Sequence, residues 1–411
     1  MRKKRDILFL CQFFYPEYIS SAQLPFDTVR ALDRAGFSVD VLCGYPREYL
    51  EGKDIPLKEQ VGDIHIRRLK YLQMDRSGFL GRLINYFSFT FMVLLHLMDF
   101  RKYRAVVVYS NPPILPWIAS WAKSLFGGKL VFVAYDLYPE VATVTGTFGK
   151  RHPICRLMDF INRRVYPRAD RVVALSTEMR EYIVSHRPIP ADRVVVISNW
   201  YPENDSGEPP REENRFREEV NGRFVVSYFG NMGTMQDMQT ILEAIRELKD
   251  DEDIFFLFAG HGNKLEALKS HVAEEKIENV AIYRFLHGQD FRDALDISSC
   301  ALISLIQGAT GLCVPSKTYS YMMEGLPLLA VMDESDITRD IDLGAGAWVR
   351  SGDGQGLARA IRRLRDDPAA AAEMGRTCRR LYEEKYTAPM GTGRYVTLFR
   401  ELLAGEKEKV L

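Results

Sequence analysis

Residues 311–327 (GLCVPSKTYSYMMEGLP) hold the densest chemistry in the chain. An apolar run ends near Leu305, a loop with Gly308 and Gly311 follows, Pro315 and Ser316 suit a helix start, and Gly325 suits its stop. A helix entered from a loose loop presents unpaired N–H groups and the positive end of its dipole, and phosphate is the natural ligand there. Lys317 adds a full charge in the first turn. It opposes the dipole at that end, so its placement favours an anionic ligand over a merely solvated lysine. Gly230-Asn231-Met232-Gly233 follows a second apolar run, where Gly230 and Gly233 permit close backbone approach to a ligand. A third turn, Gly260-His261-Gly262, lets His261 reach the same ligand. Asp136 and Glu140 follow the apolar run 130–134. Carboxylates at a strand's carboxyl end can orient or deprotonate a hydroxyl; the alternative is a turn cap at Asp136 and a solvated Glu140.

Other chemistries find little support. The turn at Gly260 has Leu265 where a dinucleotide fingerprint wants glycine, and no GxGxxG follows the first apolar run, which argues against nicotinamide or flavin cofactors. Asp251-Glu252-Asp253 has the spacing of a metal-binding pair but precedes a strand-like run, so no metal is assigned. The seven histidines lack ligand spacing, and no Ser/His/Asp or Cys/His set stands out. The six cysteines are scattered without a CxxC, as reduced apolar fillers are, and point to a cytoplasmic protein without disulfides or structural zinc.

These residues need a scaffold that gathers strand ends. Short runs rich in Val, Ile, Leu and Phe recur at 7–11, 38–43, 64–68, 105–109, 130–134, 172–175 and 194–197. Helix-sized stretches such as 24–35 separate them, the last closed by Gly36. Such alternation argues a parallel sheet covered on both faces. Residues 201–216 are polar and charged and read as a linker. The alternation then restarts at 224–229, 254–259, 280–283, 301–305, 328–331 and 347–349, with helical stretches at 237–248, 264–273 and 357–364. The expected architecture is α/β: a Rossmann-like domain over 1–200, a second over 217–386, and a helix within 387–411 returning to the first.

The net charge of zero hides an asymmetry. Residues 1–200 hold 29 Lys and Arg against 19 Asp and Glu, and the remainder holds 26 against 36. A basic half suits an anionic partner such as a membrane surface or a phosphate-bearing acceptor, or reflects drift in composition. Residues 83–98 are strongly apolar but include Asn85, Ser88, Thr90 and His96, and are shorter than the roughly 20 residues a spanning helix needs. A buried or surface-docked helix is expected. A monotopic membrane contact, helped by Arg82, Arg101, Lys102 and Arg104, is the alternative. The opening Arg2, Lys3, Lys4 and Arg5 precede too short an apolar run for a secretory signal.

The order of motifs resembles the family-4 glycosyltransferases of GT-B fold, especially the fucosaminyl-type branch that builds bacterial surface polysaccharides on lipid carriers. The matching stretches are 14–17 (FYPE), 135–140 (YDLYPE), 169–176 (ADRVVALS), 197–200 (ISNW), 228–233 (YFGNMG), 258–262 (FAGHG), 314–317 (VPSK) and 325–327 (GLP). The resemblance implies two Rossmann-like domains facing across a cleft. It implies a UDP- or GDP-type sugar donor held near Gly230, Asn231, Gly233, Gly262, Gly311, Val314, Ser316 and Lys317, with Phe285 and Leu286 at the base. It also implies a glycan or lipid-linked acceptor around Ser20, Ser21, Asp136 and Glu140, and retention of anomeric configuration. No cofactor and no nucleic-acid partner is expected. The family's paired glutamates would fall at Leu312 and Ser320 and are absent, and Glu324 is a stand-in candidate. A sugar-nucleotide epimerase of the same fold, or a non-catalytic glycosyltransferase subunit, remains open at this point.

Overall fold

The computed structural model describes residues 4–46, 55–75, 78–202 and 209–404. Arg2 and Lys3, residues 203–208 of the expected linker, and residues 405–411 lie outside these ranges. The chain forms two compact units. The first takes residues 1–202, 311–314 and 388–411, and the second takes 203–310 and 315–387.

The first unit runs β1 (Arg5–Cys11), α1 (Ser20–Arg34), β2 (Val39–Gly44), β3 (Lys58–Val61), β4 (Ile64–Leu69) and α2 (Phe79–Leu95). It continues through β5 (Tyr103–Tyr109), α3 (Leu115–Phe126), β6 (Lys129–Ala134), α4 (Glu140–Val144), α5 (Pro153–Val165), β7 (Arg171–Ala174), α6 (Thr177–His186) and β8 (Val194–Val196). Among the described residues the strands form one eight-stranded sheet, ordered β3-β4-β2-β1-β5-β6-β7-β8. All pairs are parallel except β3 with β4. Alternate residues feed two cores. Leu8, Leu10, Val106, Val108, Leu130 and Phe132 face one side, while Ile7, Phe9, Val107, Val131 and Val133 face the other. That is the period of a strand buried on both faces.

Two local outcomes differ from the sequence expectation. The antiparallel β3 carries no apolar run because it is an edge strand with two of its four residues exposed, and pairing with β4 alone orders it. The helix expected from residue 24 begins at Ser20 and runs through Pro25, since Ala22, Leu24, Pro25 and Phe26 are all buried. Burial outweighs the hydrogen bond that Pro25 forfeits.

The second unit runs α7 (Arg215–Val220), β9 (Phe224–Asn231), α8 (Met238–Glu247), β10 (Ile254–His261), α9 (Leu265–Glu274), β11 (Val280–Tyr283), α10 (Gly288–Asp296) and β12 (Cys300–Ser304). Then follow α11 (Lys317–Met323), β13 (Leu328–Val331), α12 (Asp336–Asp340), β14 (Gly346–Val349), α13 (Gly354–Asp366) and α14 (Pro368–Lys385). Its sheet has the order β11-β10-β9-β12-β13-β14, all parallel. The carboxyl ends of its strands therefore share one edge. The last helix, α15 (Ala388–Ala404), packs on α1 in the first unit. Trp200 Nε1 donates to Asp27 Oδ2 at 3.0 Å, and its ring lies where Gly391 has no side chain. A Cβ there would come within 2.2 Å of the indole.

Candidate functional site

In the second unit, the end of β9 and the end of β10 pair in register, Gly230 opposite Gly260 and Asn231 opposite His261. The Met232 amide donates to His261 O at 2.7 Å, and the Lys264 amide to Met232 O at 2.9 Å. Together they fold the two loops onto each other. Gly262, with φ +132°, lies so close that a Cβ would meet Met232 O at 2.4 Å and Asn231 Oδ1 at 2.8 Å. Only glycine fits that approach. Gly233 N donates to Gln236 Oε1 at 2.9 Å.

Lys317 opens α11 and reaches back to this corner. Its Cε would lie 3.6 Å from a Cβ on Gly230. Its Nζ sits 3.5 Å above the centre of the Tyr228 ring and donates to Asn231 O at 3.5 Å. Among the described residues no carboxylate pairs with it. Protein atoms crowd the ammonium although part of the side chain still meets solvent. That desolvation pulls its pKa well below the usual lysine value. A cation on an aromatic face, beside a carbonyl oxygen and with no acid paired to it among the described residues, can receive an anion. Burial, and secondarily the Lys317 charge, also lowers the pKa of His261. The His261 ring meets Phe285 edge-on at 5.4 Å.

The structure thus brings together Gly230, Asn231, Gly233, His261, Gly262, Phe285 and Lys317. Leu286 follows Phe285 in the loop after β11 and is half-buried. Ser316 is the exposed residue at the N-cap of α11, without a side-chain cap bond. Glu324 closes that helix and is paired with Arg292, so its carboxylate is already engaged. Gly311 and Val314 belong to the first unit rather than to the second, where the sequence had set them. The Leu137 amide donates to Leu312 O at 2.9 Å, and Val314 packs on the first unit's core. Leu312 is buried there too, and Ser320 Oγ is spent on Lys317 O at 2.8 Å.

Sequence reasoning missed two tyrosines. Tyr228 is the platform under Lys317 and donates its hydroxyl to Asn231 O at 3.0 Å. Tyr321 accepts the Phe229 amide at 2.7 Å and so ties α11 to β9. Its spacing of four from Lys317 was the available signal, since both then lie on one helix face.

In the first unit, Ser110 Oγ at the end of β5 accepts the amides of Tyr135 and Asp136 at 3.0 and 3.1 Å. This anchors the loop after β6. The Asp136 carboxylate makes no hydrogen bond or ion pair among the described residues. Burial alone raises its pKa to about 6. Cys313 is a close electrostatic neighbour, its own thiol pushed up by burial. Ser20 and Ser21 begin α1, past the end of β1, on the same sheet edge as Asp136. Glu140 was expected on the acceptor side, and its carboxylate forms an ion pair with the nearly buried Arg187, which also donates to Tyr138 O at 3.3 Å. A buried guanidinium requires a counter-charge, and Glu140 supplies it. Arg187 lies 47 residues away, beyond any local pattern.

Among the described residues no group of three or more His, Cys, Asp or Glu could hold a metal ion, and no helix is long and apolar enough to cross a membrane.

Comparison with known proteins adds independent findings. Residues 26–200 match the glycosyl transferase 4-like domain, and residues 210–381 match the glycosyl transferases group 1. The probable glycosyltransferase WbjE of Pseudomonas aeruginosa is 28% identical over 344 residues, covering 82% of this chain and 85% of that protein. The putative colanic acid biosynthesis glycosyl transferase WcaI of Escherichia coli is 22% identical over 278 residues, covering 65% and 67%. Among solved structures, Anabaena HepE in complex with UDP and glucose superposes with a TM-score of 0.72 at 15% identity, covering 97% of this chain and 100% of that one.

Proposed function

As a glycosyltransferase of GT-B fold, with a 4-like domain ahead of a group 1 domain, the chain has a donor to hold and an acceptor to present, and we propose that it transfers a sugar from a nucleoside diphosphate to a glycan or lipid-linked saccharide during bacterial surface polysaccharide synthesis. WcaI's assignment to colanic acid biosynthesis supports the pathway class, and HepE's complex with UDP and glucose supports a uridine-type donor, with a guanosine-type one next. The motif resemblance favours the fucosaminyl-type branch, retention of configuration and a cytoplasmic setting.

Lys317 carries the proposal. Breaking the anomeric C–O bond leaves the electron pair, and negative charge, on the diphosphate. A cation with no carboxylate paired to it among the described residues can stabilise that charge as it develops. The loop amides around Gly230 and Gly262 would line the diphosphate, and Phe285 and Leu286 would meet the base. Asp136, whose carboxylate makes no hydrogen bond or ion pair among the described residues, would orient the acceptor hydroxyl or take its proton, with Ser20 and Ser21 on the same side. No metal is needed for the charge, so activity is expected to survive EDTA.

The test is direct. Thermal shift against UDP-, GDP- and dTDP-sugars identifies the donor, because a ligand bound only to the folded state raises the melting point. With that donor, Lys317→Ala should lose about 10²-fold or more in kcat. Near-normal turnover would remove Lys317 from the mechanism. Donor alone should be hydrolysed slowly or not at all; isomerisation of the donor would identify an epimerase instead.

A further inference from the structure

The helix α2 is apolar on two faces. Phe89 and Val93 are buried in the core of the first unit. On the opposite side Leu80, Ile84, Phe87, Phe91, Leu95 and, just past its end, Met98 recur every three or four residues, which is a single helix face. All but the half-buried Ile84 are exposed, Leu80 at 66%, Phe91 at 57% and Leu95 at 61%. The surface continues onto α3, which packs against α2. There Trp121 and Leu125 are exposed, and the Trp117 ring joins Trp121 to the exposed Phe160 of α5, at 4.7 and 5.9 Å. A run of this size is larger than the scattered apolar residues an ordinary soluble surface carries.

Its rim is basic. Residues 79–168, which carry the whole patch, hold 12 Lys and Arg against 4 Asp and Glu. Arg101, Lys102, Arg156, Arg163 and Arg164 are exposed around it, and Arg164 lies 3.5 Å over the Phe160 ring. A second copy of the chain would bring the same cationic rim against this one, and like charges facing each other are unfavourable. An anionic lipid surface satisfies both features. Apolar side chains enter the acyl boundary and arginines meet the phosphates. The 17-residue helix is suited to lying in the plane of a leaflet rather than crossing it.

We propose that the outer face of α2, extended by Trp121, Leu125 and Phe160, docks the protein on a membrane of anionic phospholipid. The far side of the same helix carries Arg82 and Tyr86, electrostatic neighbours of Tyr138 in the Asp136 loop. Docking would therefore hold the proposed acceptor loop close to the lipid surface. The docking surface stands independently of which sugar or donor is used.

Co-sedimentation of the full chain with phosphatidylcholine vesicles, with and without phosphatidylglycerol, tests this. The wild type should pellet with the anionic vesicles and be released by salt. The triple variant Phe87→Gln, Phe91→Gln, Leu95→Gln should bind at least about tenfold more weakly while keeping its melting temperature and donor-induced thermal shift. Arg156→Glu with Arg163→Glu should abolish the preference for anionic over neutral vesicles. Wild type that stays in the supernatant would overturn the proposal, as would a triple variant that binds like the wild type. Loss of a dimer in the triple variant, by analytical ultracentrifugation, with vesicle binding unchanged would reassign the face to contact between copies.

Discussion

Lys317 sits where two ordinary preferences oppose it, since a cation is unfavourable in the first turn of a helix and desolvation disfavours its charge. What remains favourable is the Tyr228 ring beneath it and one carbonyl oxygen. Tyr228→Phe keeps the ring and should leave kcat and KM within about twofold, whereas Tyr228→Leu removes a contact of about 1 kcal/mol and should raise the donor KM several-fold. Steady-state kinetics of the pair separates the platform from the hydroxyl. Asp136 makes the complementary prediction on pH. Its raised value near 6 means the carboxyl is largely protonated at pH 5 and ionised at pH 7. If it accepts the hydroxyl's proton, kcat/KM should rise with pH through about 6, and Asp136→Asn should lose that limb together with most of the rate. A pH profile unchanged in Asp136→Asn would leave it a bystander. Both residues could be read from type and position, because lysine in a helix's first turn and aspartate past a strand are local features. That neither has an ion-pair partner among the described residues was not local, and only the folded chain shows it.

Elements explain why neighbouring candidates behave differently. The helices α4 and α11 are short, of five and seven residues, and each is held from outside. Tyr321 ties α11 to β9, and Glu140 in α4 is held by Arg187. Glu140→Ala should therefore act on stability, lowering unfolding free energy by about 3 kcal/mol as a nearly buried arginine loses its counter-charge, with kcat little changed in the remaining folded enzyme. Loss of turnover with the melting temperature preserved would restore a catalytic role for Glu140. The loops after β9 and β10 depend on one position. Gly262→Ala should push the backbone of Met232 and Asn231 apart and weaken donor-induced thermal stabilisation without unfolding the sheet. Strands and long helices were legible from apolar periodicity, while the edge strand β3 and the early start of α1 were not. In each of those, a partner element overrode the local pattern.

The whole molecule joins two sheets through a chain that returns to its start. Trp200, at the end of the first domain's sequence, and Gly391, in the last helix, close that return inside the first unit. Gly391→Val should destabilise the protein by about 1–3 kcal/mol through overpacking against the indole, visible as a lowered melting temperature followed by tryptophan emission. The sequence by itself determined the two-domain α/β class, the strands and the glycine turns, and it marked Lys317 and Asp136 as candidates, because each rests on periodicity or chemistry within a few residues. It also exposed the charge asymmetry between the halves. Only the tertiary structure decided that residues 311–314 pack with the first unit, that Glu140 belongs to Arg187, that Tyr228 underlies Lys317, and that the surplus apolar face of α2 points to solvent. Those outcomes depend on which distant groups share a desolvated space, and contact and burial of that kind exist only once the chain has folded.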